Sequence, residues 1–235
     1  MSKITKKVYP VMGMHCAACA NNVEKIVKKQ EGVEDASVNL AAAVLTVDFN
    51  SDVVSPEQLK DAVMKIGFDL IIDEDNSMEE QEEAEHSYYE QLQRKTVVAW
   101  IFALPVAFMG MFFMDFPGIN WWMLVLSLPV LFYSGHAFYV NAWKQAKHFT
   151  SNMDTLVALS TSIAFLFSLF NTLYPQFWYE QGLEPHVYYE AATVIIAFVL
   201  VGKLMEEKAK GKTSMAIRKL MGLQPKTARI LRDGK

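Results

Sequence analysis

Hydrophobic residues are distributed in two distinct ways along this chain of 235 residues, and the change of pattern divides it into two parts. In residues 1–72 they occur in short runs, either alternating with polar residues or spaced three and four apart, as in the strands and helices of a small soluble domain. From residue 96 to residue 205 they form four long stretches of membrane-spanning length. The pattern predicts a soluble domain followed by a membrane region.

The soluble domain is predicted to contain four strands and two helices. Val23, Ile26 and Val27 lie at helical spacing and indicate the first helix. Ser55 and Pro56 mark the start of the second helix, because serine caps a helix and proline fits its first turn. In chain order we expect a strand at 4–11, a helix at 17–29, strands at 33–40 and 44–49, a helix at 56–66 and a strand at 68–72. This order is the α+β ferredoxin-like (βαββαβ) arrangement.

Cys16 and Cys19 are the only cysteines, and they lie where the first predicted strand leads into the first predicted helix. Two thiolates without neighbouring histidine or carboxylate ligands suit a soft d10 ion such as Cu(I) better than zinc, which usually takes four ligands. If Cys19 lies in the first helical turn, the helix dipole should lower its pKa and favour the thiolate. A redox dithiol and two buried apolar cysteines are the alternative interpretations.

Three residues beside the cysteines have less distinctive patterns. Met14 and Phe68 are expected to pack over the small core, with Phe68 also shielding the metal. His15 is expected to be solvated rather than to act as a third ligand.

The charge distribution and the amino-terminal sequence indicate the partners and the compartment of the soluble domain. Most of the net charge of −4 comes from the acidic residues between Asp73 and Glu90, so the sequence favours no nucleic-acid partner. Residues 73–95 are interpreted as an acidic linker, flexible or loosely helical, that lets the small domain move. The amino terminus lacks a signal-peptide core, so the domain is expected in the reducing cytosol.

The membrane region, residues 96–207, is predicted to be an all-α four-helix region in the lipid bilayer. The expected spans lie at about 96–114, 121–143, 155–174 and 188–205. The second is expected to kink at Ser134–Gly135 and to continue along the cytosolic surface as an amphipathic helix. The loops at 115–120 and 175–187 contain no lysine or arginine, so both chain ends should be cytoplasmic.

Two residues of the membrane region are candidates for metal contact. Met153 lies at the cytosolic start of the third span, and Glu190 lies at the outer end of the fourth. An ionisable group near a span is costly and therefore a functional candidate, although a carboxylate at the membrane edge can simply reach water. A methionine in such a segment is ordinarily core.

The segment GMHCAAC at 13–19, followed by this order of elements, resembles a heavy-metal-associated domain. The resemblance implies that Cys16 and Cys19 bind Cu(I) and exchange it with a soluble copper chaperone. In the segment IGFD at 66–69, Phe68 resembles the aromatic residue that the pump-attached version of this domain tends to have beside its metal site.

The membrane region resembles copper-translocating P-type ATPases. The segments that carry this resemblance lie at 138–144, 152–159, 189–192, 210–213 and 220–228. It implies that Met153 receives Cu(I), that Glu190 belongs to the exit path, and that the kink at Ser134–Gly135 is a docking platform for the chaperone. The family usually has a Gly-Gly pair at the kink, whereas this chain has serine first.

The phosphorylation, dephosphorylation and nucleotide-binding motifs of that family do not occur in these 235 residues. We therefore interpret the chain as the amino-terminal part of a plasma-membrane copper exporter, with 208–235 beginning an actuator domain. ATP and Mg²⁺ are expected only in the full-length protein, and this chain alone should not hydrolyse ATP. The alternatives are a complete membrane-tethered metal-binding protein and part of a pump for Zn, Cd or Hg.

Overall fold

The computed structural model describes residues 4–72, 77–113, 116 and 118–221. The soluble part consists of β1 (Ile4–Met12), α1 (Ala17–Lys28), β2 (Val33–Asn39), β3 (Val44–Asn50), α2 (Pro56–Lys65) and β4 (Asp69–Leu70). The strands form an antiparallel sheet in the order β2-β3-β1-β4. The ferredoxin-like prediction is confirmed for this part of the chain.

The core of the soluble domain lies between the sheet and the two helices. Alternate residues of β3 point into it because side chains of a strand alternate between its faces. Fully or almost fully buried side chains come from both layers: Val23, Val27, Leu45, Val47, Phe49, Leu59 and Val63. Ser55 caps α2, and its backbone N–H donates in return to Gln58 Oε1 at 2.9 Å, the capping box that the sequence predicts.

The rest of the described chain is helical. Its elements are α3 (Ser77–Phe112), α4 (Ile119–Pro129), a π-helical turn (Val130–Ser134), α5 (His136–Lys147), α6 (Met153–Leu173), α7 (Gln176–Tyr179) and α8 (Tyr189–Met221). Helix α3 includes the described part of the predicted linker and continues without a break into the first apolar stretch. Of the predicted start of the actuator domain, 208–221 continues α8 and 222–235 lies outside the described residues.

Among the described helices, two segments are long and apolar enough to span a membrane, His86–Phe112 and Met153–Leu173. A third is obtained if the bent pair Ile119–Ser134 and His136–Lys147 is counted as one span. The fourth predicted span corresponds to the first half of α8, which also contains the ionisable residues Glu190 and Lys203. The structure thus supports two or three apolar spanning helices, and the count of four stays a prediction.

A bend of 59° separates α4 from α5, at Ser134–Gly135. Pro129 and the π-helical turn precede it, and both features interrupt regular helical hydrogen bonding. Gly135 fits because a Cβ there would lie 2.8 Å from the carbonyl oxygen of Leu131. The Ser134 hydroxyl donates to the carbonyl oxygen of Lys95 at 2.9 Å, so the serine fastens the bend to α3.

Candidate metal site

Both cysteines lie at the junction of β1 and α1. Gly13 has a φ of +85°, which turns the chain out of the strand, and Cys16 caps the helix. The Cys16 Sγ accepts a hydrogen bond from the backbone N–H of Cys19 at 3.2 Å. Both thiols are free, Cys16 half-buried and Cys19 only 4% exposed. Cys16 thus caps α1 and Cys19 lies in its first turn, and we call the segment 13–19 that contains both thiols the cysteine loop.

The prediction of a lowered pKa for Cys19 was wrong. Burial in the apolar domain, with a hydrogen bond that the Cys19 thiol donates to the Cys16 side chain, raises the pKa of the Cys19 thiol to about 12. Desolvation disfavours the thiolate more than the helix start favours it. A metal that binds here must therefore displace the Cys19 proton, and its apparent affinity should increase with pH.

We expect the alkylation rate of Cys19 to keep rising by about tenfold per pH unit between about pH 7 and pH 10. The thiolate is the reactive form, and burial, the largest cause of the raised pKa of Cys19, remains when Cys16 is replaced, so the thiolate forms only at high pH. The measurement is iodoacetamide labelling of the Cys16→Ser chain, in which Cys19 is the remaining thiol. A rate that levels off below pH 9 would contradict the raised pKa.

Three residues near the cysteines are buried, one of them unexpectedly. Met14 and Phe68 belong to the core of the domain, as expected. The expectation of a solvated His15 was wrong, because its side chain is only 5% exposed. Its Nε2 lies 2.9 Å from the Tyr88 hydroxyl, and its Nδ1 lies 3.4 Å from Glu206 Oε2. The loop therefore contacts both α3 and α8.

A polar contact around Gln145 joins the soluble domain to α5. The Gln145 side chain is fully buried, and its Nε2 donates to the carbonyl oxygen of Ile66 at 2.7 Å. Its Oε1 accepts from Asn22 Nδ2 at 3.0 Å, and Asn22 also donates to the carbonyl oxygen of Ser151 at 3.2 Å. The domain is thus held on α5 and on the loop between α5 and α6.

This docking brings the cysteine loop to the start of α6. Asn152 Nδ2 lies 4.0 Å from Cys19 Sγ. The Asn152 side chain also caps α6 by accepting from the backbone N–H of Thr155 at 3.0 Å. Met153 is the next residue, partly buried among the apolar side chains of the helical region. Met153 therefore directly follows, in the sequence, the residue that contacts Cys19.

Glu190 lies far from this site. It is the second residue of α8, where the Tyr189 hydroxyl lies 3.0 Å from that of Thr172, near the end of α6. The 21 residues of α6 separate Met153 from this level by about 30 Å, at 1.5 Å per residue. Glu190 Oε2 is buried without a hydrogen-bond partner among the described residues.

Several polar residues near the start of α6 were missed in the sequence. Asp154 and Lys203 form a buried ion pair of 2.7 Å next to Met153. A lysine within the apolar stretch of α8 is a signal that could have identified Lys203, whereas nothing in the local pattern marks Gln145. Over the part of the chain with described side chains, no three histidine, cysteine or carboxylate groups lie close enough to hold a metal ion. The candidate site therefore consists of two thiols.

Comparison with known proteins finds one domain family and several similar transporters. Residues 8–69 match the model of the heavy-metal-associated domain. The probable copper-transporting ATPase PacS of Synechococcus elongatus is 41% identical over 98% of this chain and 32% of its own length. A copper-exporting P-type ATPase of Bacillus subtilis is 38% identical over 98% of this chain and 30% of its own.

One solved structure is similar in sequence to part of the chain. The amino-terminal domain of a potential copper-translocating P-type ATPase from Bacillus subtilis, in its Cu(I)-loaded state, is 43% identical, with a TM-score of 0.29. The match covers 29% of this chain and 86% of that one. The chain spans about a third of the length of the two full-length relatives. The chain thus contains a heavy-metal-associated domain, and nearly all of its residues are similar to about a third of the length of copper-transporting P-type ATPases.

Proposed function

We propose that this chain captures Cu(I) at Cys16 and Cys19 and delivers it to the membrane helices at Met153, within a P-type ATPase that exports copper from the cytosol. The observation that carries the proposal is the 4.0 Å contact between Cys19 Sγ and Asn152 Nδ2, one residue before Met153. A metal on the thiol pair then has a short path to a thioether at the first residue of α6.

The chemistry of the donors favours Cu(I) as the cargo. Thiolate and thioether are soft ligands, which select Cu(I) over ions that prefer oxygen. Two thiols hold a metal with open coordination positions, so that a third sulfur is able to attack it and take it over. A cargo that is passed on needs such ligand exchange, whereas a closed four-ligand zinc site opposes it.

The remaining parts of the proposal concern the path through the bilayer. We assign four spans with both ends cytoplasmic, in the plasma membrane, because the loops at 115–120 and 175–187 contain no basic residue. Glu190 is assigned to metal release, since its buried carboxylate lies at the opposite end of α6 from Met153. The remainder of the pump supplies the ATP and Mg²⁺ chemistry.

The docking partner of the bend belongs to the same proposal. A soluble copper chaperone is assigned to the α5 side of Ser134–Gly135, as the family resemblance implies. In the structure, the chain's own soluble domain already contacts α5 through Gln145. The chaperone and this domain are thus assigned to the same helix, α5. In this proposal they bind to it in turn.

We expect the Cys16→Ser/Cys19→Ser chain to lose tight Cu(I) binding, because no other pair of thiols is present in the sequence. The measurement is competition with a chromophoric Cu(I) chelator under reducing conditions, with the chain in detergent. Met153→Ala is the matched control, and it should leave the affinity of the thiol pair unchanged. Cu(I) affinity that survives the double replacement would refute the assignment.

The same titration separates the alternative cargoes. A chain that prefers Zn(II), Cd(II) or Hg(II) to Cu(I) at the thiol pair supports a pump for those ions. Whether the metal crosses a membrane is tested with the full-length protein in sealed vesicles. ATP-independent retention of Cu(I), without transport, supports a membrane-tethered binding protein instead.

A further inference from the structure

A buried ion pair lies beside Met153 at the cytosolic end of the helices. Lys203 Nζ on α8 lies 2.7 Å from Asp154 Oδ1 on α6, and the two side chains are 7% and 9% exposed. The Lys203 ammonium also lies 4.6 Å from the centre of the Phe138 ring on α5. Three helices meet at this pair.

Both carboxylate oxygens of Asp154 have a partner. Oδ1 accepts from Lys203, and Oδ2 accepts from Asn141 Nδ2 at 2.7 Å. Asn141 lies on α5, one turn after Phe138. The carboxylate next to Met153 is therefore enclosed by a cation and an amide.

This enclosure matters because of where the carboxylate lies. Carboxylate oxygens favour divalent ions such as Zn²⁺, Co²⁺ and Mn²⁺, whereas a thioether favours Cu(I). An open carboxylate beside Met153 would add a hard ligand and a negative charge to the path of the metal. Lys203 neutralises that charge and occupies one of the oxygens.

Stability alone is a poor reason for such a pair. Desolvation of two charges largely offsets their attraction, and apolar replacements of a whole buried pair are often neutral or stabilising. Phe138 and the neighbouring apolar side chains would accommodate such a replacement. A role in selecting the metal explains why the chain has this ion pair, whereas stability does not.

We propose that Lys203 is a specificity-determining positioning residue, which withholds the Asp154 carboxylate from metals that arrive at Met153 and so discriminates against divalent ions. The inference deepens the proposed function, because it rests on a soft-metal path at Met153. Lys203 acts through Asp154 and touches no metal itself.

The test measures Co²⁺ binding to the whole chain in lipid nanodiscs, with Cys16→Ser and Cys19→Ser as the background. Co²⁺ reports its ligands by visible absorption, and this background removes the thiol site. Adding Lys203→Leu should tighten Co²⁺ binding by about tenfold or more, the scale seen when a neighbour of a ligand is altered. A further Asp154→Asn replacement should remove the gain, and Lys203→Arg should show none.

Lys208→Leu, which removes an exposed lysine from the same helix, is the matched control and should leave Co²⁺ binding unchanged. Unaltered Co²⁺ affinity in a folded Lys203→Leu chain, or a gain that survives Asp154→Asn, would overturn the proposal.

Asp154→Asn alone provides a test that does not depend on the folding of the Lys203 variant. It should not weaken Co²⁺ binding in the thiol-free background, since the carboxylate is already withheld. A loss of affinity there would show an open ligand and would also overturn the proposal. Because the background contains no cysteine, these results are independent of whether the thiol pair binds Cu(I).

Discussion

Replacing Gln145 by leucine should release the soluble domain from α5 and increase, by about tenfold or more, the rate at which a bulky maleimide modifies the cysteines. Gln145 is fully buried and bonds to Ile66 and Asn22 of the domain. Leucine removes the partner of the Ile66 carbonyl and one of the two hydrogen bonds of the Asn22 amide, and each polar group left unpaired at the interface costs about 1–3 kcal/mol. Every 1.4 kcal/mol corresponds to about a tenfold change in the docking equilibrium.

The maleimide rate increases only if the soluble domain leaves α5. While the domain is docked, the cysteine loop lies against α6 and a bulky reagent has little access to it. Asn22→Ala should give a similar increase, and the double variant should add little, since both residues act in one contact. Gln93→Leu, which alters an exposed glutamine of α3, should leave the rate unchanged. Equal rates in all variants would show that Gln145 does not hold the domain in place.

The fold of the soluble domain could be predicted from the sequence because its signals are local. Alternation over seven residues marks β3, and Ser55 with Gln58 forms the capping box that starts α2. The bend at Ser134–Gly135 is local too, since it follows from a proline and two residues that weaken a helix. Such features depend on neighbours within one or two turns.

The docked arrangement could not be predicted, because it depends on residues far apart in the sequence. Gln145 and Ile66 are separated by 79 positions, and Asn152 and Cys19 by 133. A glutamine on an amphipathic helix has the same local pattern whether it faces water or another domain. Only the packing of the two parts distinguishes these cases.

The same limit explains the wrong predictions for Cys19 and His15. The helix dipole at the start of α1 is a local effect, whereas the burial that raises the pKa of Cys19 results from the packing of the domain around it. His15 is covered by Tyr88, which belongs to a stretch interpreted as a solvated linker. In both cases, the deciding contact comes from another element.

In the proposed function, the cysteine loop hands its metal to Met153 from a position at the start of α6. A direct test uses Asn152→Cys in the Cys16→Ser chain, so that Cys19 and residue 152 carry the only two thiols. The native side chains approach to 4.0 Å, within reach of a short bifunctional methanethiosulfonate. Loss of the Asn152 cap costs α6 about 1 kcal/mol, which is too little to unfold it.

The linked peptides are quantified by mass spectrometry after digestion, with the chain in nanodiscs at a concentration that excludes links between molecules. Glu184→Cys, on the exposed loop before α8, is the control in the same background. We predict nearly complete linkage of residues 19 and 152 and no linkage of residues 19 and 184. Linkage at residue 152 no greater than at residue 184 would contradict the handover geometry.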